Sequence, residues 1–288
     1  MAAVPPAGRV LKPGGRHWLV GALVAAGAVC VFFPFVWMAL TSLKTVPEIQ
    51  RVPLQITPDR WTNLDNYREV FQRQPFARFL LNSALVASVS ALSSVVVSAA
   101  AGYGFAKFRF PGHGLFFFAI IGILMVPFQS VVVPLYLWVS RLNLLDTYLG
   151  ILAPDLVSVF GVFLMRHSIE VVPTDYVDAA RIDGAGELRI LWSIALPLVR
   201  PAVLTVVLLT FIGPWNEFLW PFLVTKDASK QPLAVSLANY ISNVAARAAN
   251  PYGAILAGAV VLAAHAVGLF VAFQRYFRTT DLGSGVKG

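Results

Sequence analysis

The sequence predicts an all-α integral membrane protein with six transmembrane helices. Three observations lead there. Of 288 residues, 58% are hydrophobic and only 12% are charged, whereas about a quarter of a soluble globular domain is charged. Mean hydropathy is +0.72. Six apolar stretches each approach or exceed the roughly 20 residues that a helix needs to cross the hydrocarbon core of a bilayer. So few charges cannot cover a water-facing surface, which argues against a soluble enzyme. Disorder is excluded as well, because it needs low hydrophobicity.

Residues 1–17 form a tail rich in Pro and Gly, with Arg9, Lys12 and Arg16 leading into the first span, 18–40. That basic flank has the look of a signal peptide, but the span is longer than an h-region and five more follow, so it is expected to be retained. The second span is 79–104. The third, 114–139, holds Gln129 and Ser130 between Pro127 and Pro134, and two prolines are expected to kink it. The fourth, 148–165, contains Pro154 and Asp155; the fifth, 202–224, contains Pro214, Trp215, Asn216 and Glu217; the sixth is 253–273. Asp155 and Glu217 are the formal charges within these stretches. Helices are expected because lipid offers a bare backbone no hydrogen-bond partner, and the alternating segments of a barrel are missing. The organisation is thus one membrane domain over 18–275 between tails at 1–17 and 276–288.

The net charge of +8 is spread over the loops, which is ordinary for a membrane protein and does not point to nucleic acid. One cysteine, Cys30, and four scattered histidines, His17, His113, His167 and His265, offer no metal-ligand spacing. No catalytic residue or metal site is expected. The phosphate-cradling pattern G-x-x-x-x-G-K-[ST] does not occur, so no nucleotide cofactor is expected in this chain. Lys and Arg divide almost evenly between the two sides of the six spans, so charge alone does not orient the chain.

The strongest local signal is the polar segment 166–201, RHSIEVVPTDYVDAARIDGAGELRILWSIALPLVRP. Thr174 is expected to cap a short helix, with Asp175 and Asp178 in its first turn, where negative charge meets the positive end of the helix dipole. Gly184 permits the left-handed turn that ends many helices. A second amphipathic run starts at Glu187 and is expected to stop at Pro197, and Pro201 opens the next span. A short solvated helix of this kind gains stability by packing on the bundle or on another protein.

Asp178-Ala179-Ala180, then Gly184, then Ile194 and Leu196-Pro197 follow the spacing of the EAA signature. The chain therefore resembles the membrane subunits of binding-protein-dependent ABC importers. Asp178 stands where that family usually has Glu, the same carboxylate on a shorter stem. PFVWMALTSLKT (34–45), NYREVF (66–71), FLLNSALVA (79–87), GYGFAKFRFPG (102–112), MVPFQSVVVPLY (125–136), LLDTYLGI (144–151) and WNEFLWP (215–221) resemble the MalG-type branch of carbohydrate permeases in the same order. The resemblance implies that the helix carrying Asp178, Ala179, Ala180 and Gly184 is a coupling helix between spans 4 and 5, seated in an ATPase subunit on the cytoplasmic side. It implies a bacterial inner-membrane location with both termini cytoplasmic. The implied partners are a second, MalF-like permease, an ATP-binding cassette ATPase dimer that binds ATP and Mg, and an extracytoplasmic solute-binding protein. A sugar is the implied substrate, with sn-glycerol 3-phosphate as the alternative.

Polar residues inside a membrane are expensive and often functional. Asp155, Gln129, Trp215, Asn216 and Glu217 are accordingly the candidates for lining a translocation pathway. The competing role for Asn216 and Glu217 is hydrogen bonding between helices; for Gln129 it is a packing kink. An ion-coupled secondary transporter is the rival class, but two carboxylates are thin support for an ion relay.

Overall fold

A computed structural model describes residues 16–240, 242 and 248–280; the start of the N-terminal tail and the end of the C-terminal one lie outside the described residues. Among the described residues every regular element is helical. The labelled helices are α1 Arg16–Thr41, α2 Asp65–Arg73, α3 Phe76–Lys107, α4 His113–Ile123, α5 Phe128–Arg141, α6 Tyr148–Asp155, α7 Val159–Glu170, α8 Thr174–Ile182, α9 Glu187–Leu198, α10 Arg200–Asn216, α11 Leu219–Val224, α12 Leu233–Asn239 and α13 Pro251–Thr280.

Helices α1 and α3 are long and apolar enough to cross a membrane unbroken. Three other expected spans are broken, which corrects the sequence reading. Helices α4 and α5 meet at 97°, and α6 and α7 at 45°. The first break falls at Pro127, which takes the cap position of α5 in extended conformation, because proline has no N–H to continue the ladder of α4. The expected span 202–224 ends early, at Asn216. Glu217 is extended, and α11 begins at Leu219. Pro221 lies in the first turn of α11, where a missing N–H costs least.

The chain divides into two compact units, 1–70 with 247–261, and 71–246 with 262–288. In the first, Asn66 is buried and its amide donates to the carbonyls of Ser42 (2.7 Å) and Lys44 (3.0 Å), while Asn250 donates to the latter at 2.9 Å. Asn66 is thereby a packing residue between segments distant in sequence.

The second unit is built around α3, which packs chiefly on α7 and α10. Its small residues make this possible. A Cβ on Gly102 would sit 2.6 Å from the Met165 Cβ and 2.8 Å from the Arg166 nitrogen. Close approach through small residues is how membrane helices gain dispersion contacts without a hydrophobic driving force. Ala99, Tyr103, Met165, Ile169, Ile190 and Val206 share one buried cluster, which joins α3 and α7 to the α8–α9 segment and α10. A second cluster gathers Val86, Val139, Ile151 and Trp220. The Trp220 indole donates to the carbonyls of Gly150 (3.0 Å) and Ile151 (3.1 Å).

Candidate functional site

The segment 166–201 folds as two short helices. Thr174 is the first helical residue of α8, not its cap; Pro173 takes that place at φ −56°, ψ 135°. Gly184 has φ +78°, the left-handed conformation that only glycine adopts without cost, so the expected turn is present. Pro197 does not stop α9. The helix widens to a π-turn over Leu191–Ala195, with the Leu196 N–H bonded to the Leu191 carbonyl, and runs on to Leu198. Widening the turn relieves the clash that a proline ring makes with the carbonyl four residues back. Helix α10 then departs from α9 at 91°.

Helix α8 has two faces. Val177 and Ala180 are buried in the chain's own core, as are Ala195 and Leu196 of α9; Ile194 packs against that core and Pro197 is exposed. Tyr176, Asp178, Ala179 and Gly184 are exposed, and Ile182 is 86% exposed. A groove of about 250 Å³ runs beside it, lined by Ser168, Val172, Pro173, Tyr176 and Leu198.

The polar residues here form a closed network. The Arg181 guanidinium donates to Asp178 Oδ1 (3.0 Å) and, through Nε, to Glu187 Oε1 (2.7 Å). Glu187 Oε2 accepts from Arg181 (3.3 Å) and from the hydroxyl of Tyr103 on α3 (2.6 Å). Arg181 also lies over the Phe108 ring at 5.8 Å. The Arg181 hydrogen bond holds the Glu187 carboxyl below its ordinary 4.5; burial opposes this and Tyr103 adds to it. The exposed Asp178–Arg181 pair is worth at most about 1 kcal/mol. The hydrogen bond from buried Tyr103 to a charged acceptor is of the stronger kind. Arg181, Glu187 and Tyr103 escaped the sequence reading; Arg181 and Glu187 at helix ends are common, and Tyr103 is remote in sequence.

The second arrangement is a cleft of about 200 Å³ in the span region, lined among others by Ser94, Asp155, Ser158, Thr210, Gly213 and Pro214. Ser93, Ser94 and Ser98 of α3 donate to the carbonyls of Leu156 (2.8 Å), Asp155 (2.9 Å) and Ser158 (3.3 Å). These carbonyls are freed where α6 breaks into α7, and the serines satisfy them in place of a helical ladder. This stripe, too, was missed, because serine in an apolar helix carries no signal of its own. The Asp155 carboxylate accepts no hydrogen bond from the described residues.

Of the other pathway candidates, Glu217 Oε1 accepts from the Trp220 backbone (3.3 Å) and Asn216 donates to the Ile212 carbonyl (2.9 Å). Asn216 thus serves the backbone at the end of α10, and Glu217 that at the start of α11. Trp215 is 6% exposed and stacks on Phe211 with ring centroids 5.6 Å apart. Gln129 is exposed on α5 and does not line the cleft.

The family model of the binding-protein-dependent transport system inner membrane component matches residues 82–279, which hold both arrangements. The chain belongs to this family. It is a multi-pass inner-membrane permease subunit of the ABC type, as the EAA spacing implied. The permease is 32% identical over 273 residues to the arabinooligosaccharides transport system permease protein AraQ of Halalkalibacterium halodurans, covering 94% of this chain and 96% of that one. It is 31% identical to the sn-glycerol-3-phosphate transport system permease protein UgpE of Brucella abortus, covering 90% and 94%. A chain from the crystal structure of a bacterial ABC transporter involved in the import of the acidic polysaccharide alginate shares the fold. Its TM-score is 0.83 at 24% identity, covering 94% of this permease and 100% of that chain.

Proposed function

We propose that the permease forms half of a translocation pathway for a neutral carbohydrate and couples it to ATP hydrolysis by a separate ATPase. Helix α8 carries the reading. It is anchored by Val177 and Ala180 and open along Tyr176, Asp178, Ala179 and Ile182, as a helix received by another protein would be. In this arrangement α8 docks on an ATP-binding cassette dimer, which binds ATP and Mg. A MalF-like permease completes the pathway, and an extracytoplasmic solute-binding protein delivers the sugar. The broken pairs α4–α5 and α6–α7 each count as one span, giving six, with both termini cytoplasmic. The partner ATPase and the loaded binding protein act by favouring the outward-open state over the inward-open one; this chain makes and breaks no bond.

The pathway side rests on the cleft at Asp155. A carboxylate without a hydrogen bond accepts from sugar hydroxyls, and no Lys or Arg is among the residues that line the cleft. A phosphorylated substrate would be repelled there. The relatives named for sn-glycerol 3-phosphate support that compound as the second reading, with the cation supplied by the partner permease.

The deciding experiment is affinity purification from native membranes in mild detergent, with mass spectrometry of what accompanies the permease. A P-loop ATPase and a second EAA-bearing permease are expected. Recovery of the chain alone, even after gentle crosslinking, would overturn the proposal. In vesicles containing the complex, uptake of labelled oligosaccharide against sn-glycerol 3-phosphate then separates the two substrates.

A further inference from the structure

We infer that Glu187 is the positioning residue that carries a displacement of α8 into α3, so that the docking helix and the central membrane helix move together. The inference rests on α8 being the ATPase-docking helix.

The turn between α8 and α9 is closed by backbone hydrogen bonds from the Gly184 N–H to the Arg181 carbonyl (3.0 Å) and from the Ala185 N–H to the Ala180 carbonyl (2.9 Å), while the space beside Gly184 is open. The charged side chain that spans the turn is Arg181, whose guanidinium reaches from α8 to both carboxylate oxygens of Glu187 at the start of α9. The same carboxylate accepts the Tyr103 hydroxyl. Three helices therefore meet on one side chain. Tyr103 is 4% exposed and sits next to Gly102, at a close approach of α3 and α7. A force arriving at Glu187 thus enters a close-packed contact between these two helices.

A second tether lies on the other side of α8. Lys107, the last residue of α3, donates through Nζ to the Val172 carbonyl at 2.6 Å, just before α8 begins. Helix α8 is therefore held to α3 before its first turn and after its last. The Asp178–Arg181 pair stays within α8 and transmits nothing; it aims the guanidinium. Charge-assisted bonds of this kind are short and directional, and packed elements joined by them shift between discrete arrangements rather than deforming continuously.

The test uses the purified complex in proteoliposomes and compares wild type with Glu187→Gln, Tyr103→Phe and Arg181→Lys. The reading is sugar transported per ATP hydrolysed. A purely structural role would lower complex yield and both rates together, leaving the ratio unchanged. The expected result is a ratio about fivefold lower in Glu187→Gln, in the range of measured coupling between sites. Tyr103→Phe should show a smaller loss, and Arg181→Lys should recover part of the wild-type value. An unchanged ratio in Glu187→Gln would overturn the inference. Amide hydrogen exchange on the permease alone, in detergent, provides the second measurement. Faster exchange across α8 in Glu187→Gln is expected, and unchanged exchange would overturn the tether. If wild-type permease recruits no ATPase, the proposed function fails, and the exchange result still decides whether Glu187 holds α8.

Discussion

The α8–α9 network and the Asp155 cleft are both built on α3, and they use its polar side chains in opposite ways. At the end of α3, Tyr103 reaches out to a charged partner, Glu187, and Arg181 pairs with both Glu187 and Asp178. Further up the helix, Ser93, Ser94 and Ser98 are spent on backbone carbonyls at the α6–α7 break, and the one charged group, Asp155, has no hydrogen bond among the described residues. In the first region the charged groups are paired within the chain, which suits the proposed joint; in the second a carboxylate is left over in a cleft, which suits the proposed ligand contact.

The largest effect should come from breaking what the two regions share. Gly102→Val places a Cβ against Met165 and Arg166, and overpacking at its upper end costs about 3 kcal/mol. The yield of folded permease and its melting temperature in detergent should both fall. A wild-type melting temperature would show that α3 and α7 separate easily.

Next come changes confined to the joint. Gly184 at φ +78° cannot become Pro, whose φ is locked near −65°. Gly184→Pro should abolish uptake while the chain stays membrane-inserted, and Asp178→Lys should impair uptake and the stimulation of ATPase activity. Wild-type uptake and ATPase stimulation in both variants would remove α8 from coupling.

The cleft provides the contrast. Asp155→Lys should lower uptake of neutral sugar by about tenfold or more, and Asp155→Asn by only about threefold, since a neutral acceptor replaces a charge-assisted one. Equal effects from the two would mean that Asp155 does not face the substrate.

Acid should distinguish the regions as well. The Glu187 carboxyl is depressed below 4.5, first by Arg181. Its contribution is therefore present above the ordinary carboxylate range and is lost as pH falls through its lower, folded value. Exchange across α8 should accelerate there in wild type, and Glu187→Gln should remove that pH dependence.

The smallest expected effect is Ser98→Ala, about 0.6 kcal/mol for one interhelical hydrogen bond in a membrane protein, visible only as a slight shift in melting temperature.

Much of this was legible in the residues. The apolar lengths located α1 and α3, and Gly184 announced its turn because only glycine holds positive φ without strain. The Asp178-to-Pro197 spacing led to the family, which the match over 82–279 bears out. Proline was half legible. Pro127 was read as a kink and is a right-angle break, while Pro197 was read as a stop and is absorbed by a π-turn. A proline states that one hydrogen bond is missing; neighbouring packing decides whether the helix bends, widens or ends.

Composition and pattern by themselves thus determined that the chain is an all-helical membrane protein with a two-helix polar segment over 166–201, since those properties depend on local periodicity and the solvent each stretch prefers; the permease family came from the spacing of the EAA signature. Only the tertiary structure decided that Tyr103 holds Glu187, that Ser94 holds the Asp155 carbonyl, and that Ala180 faces inward while Ala179 does not. Each depends on which helices come within a few ångströms, and that closeness is set jointly by small residues such as Gly102 and Gly161 on helices far apart in the chain.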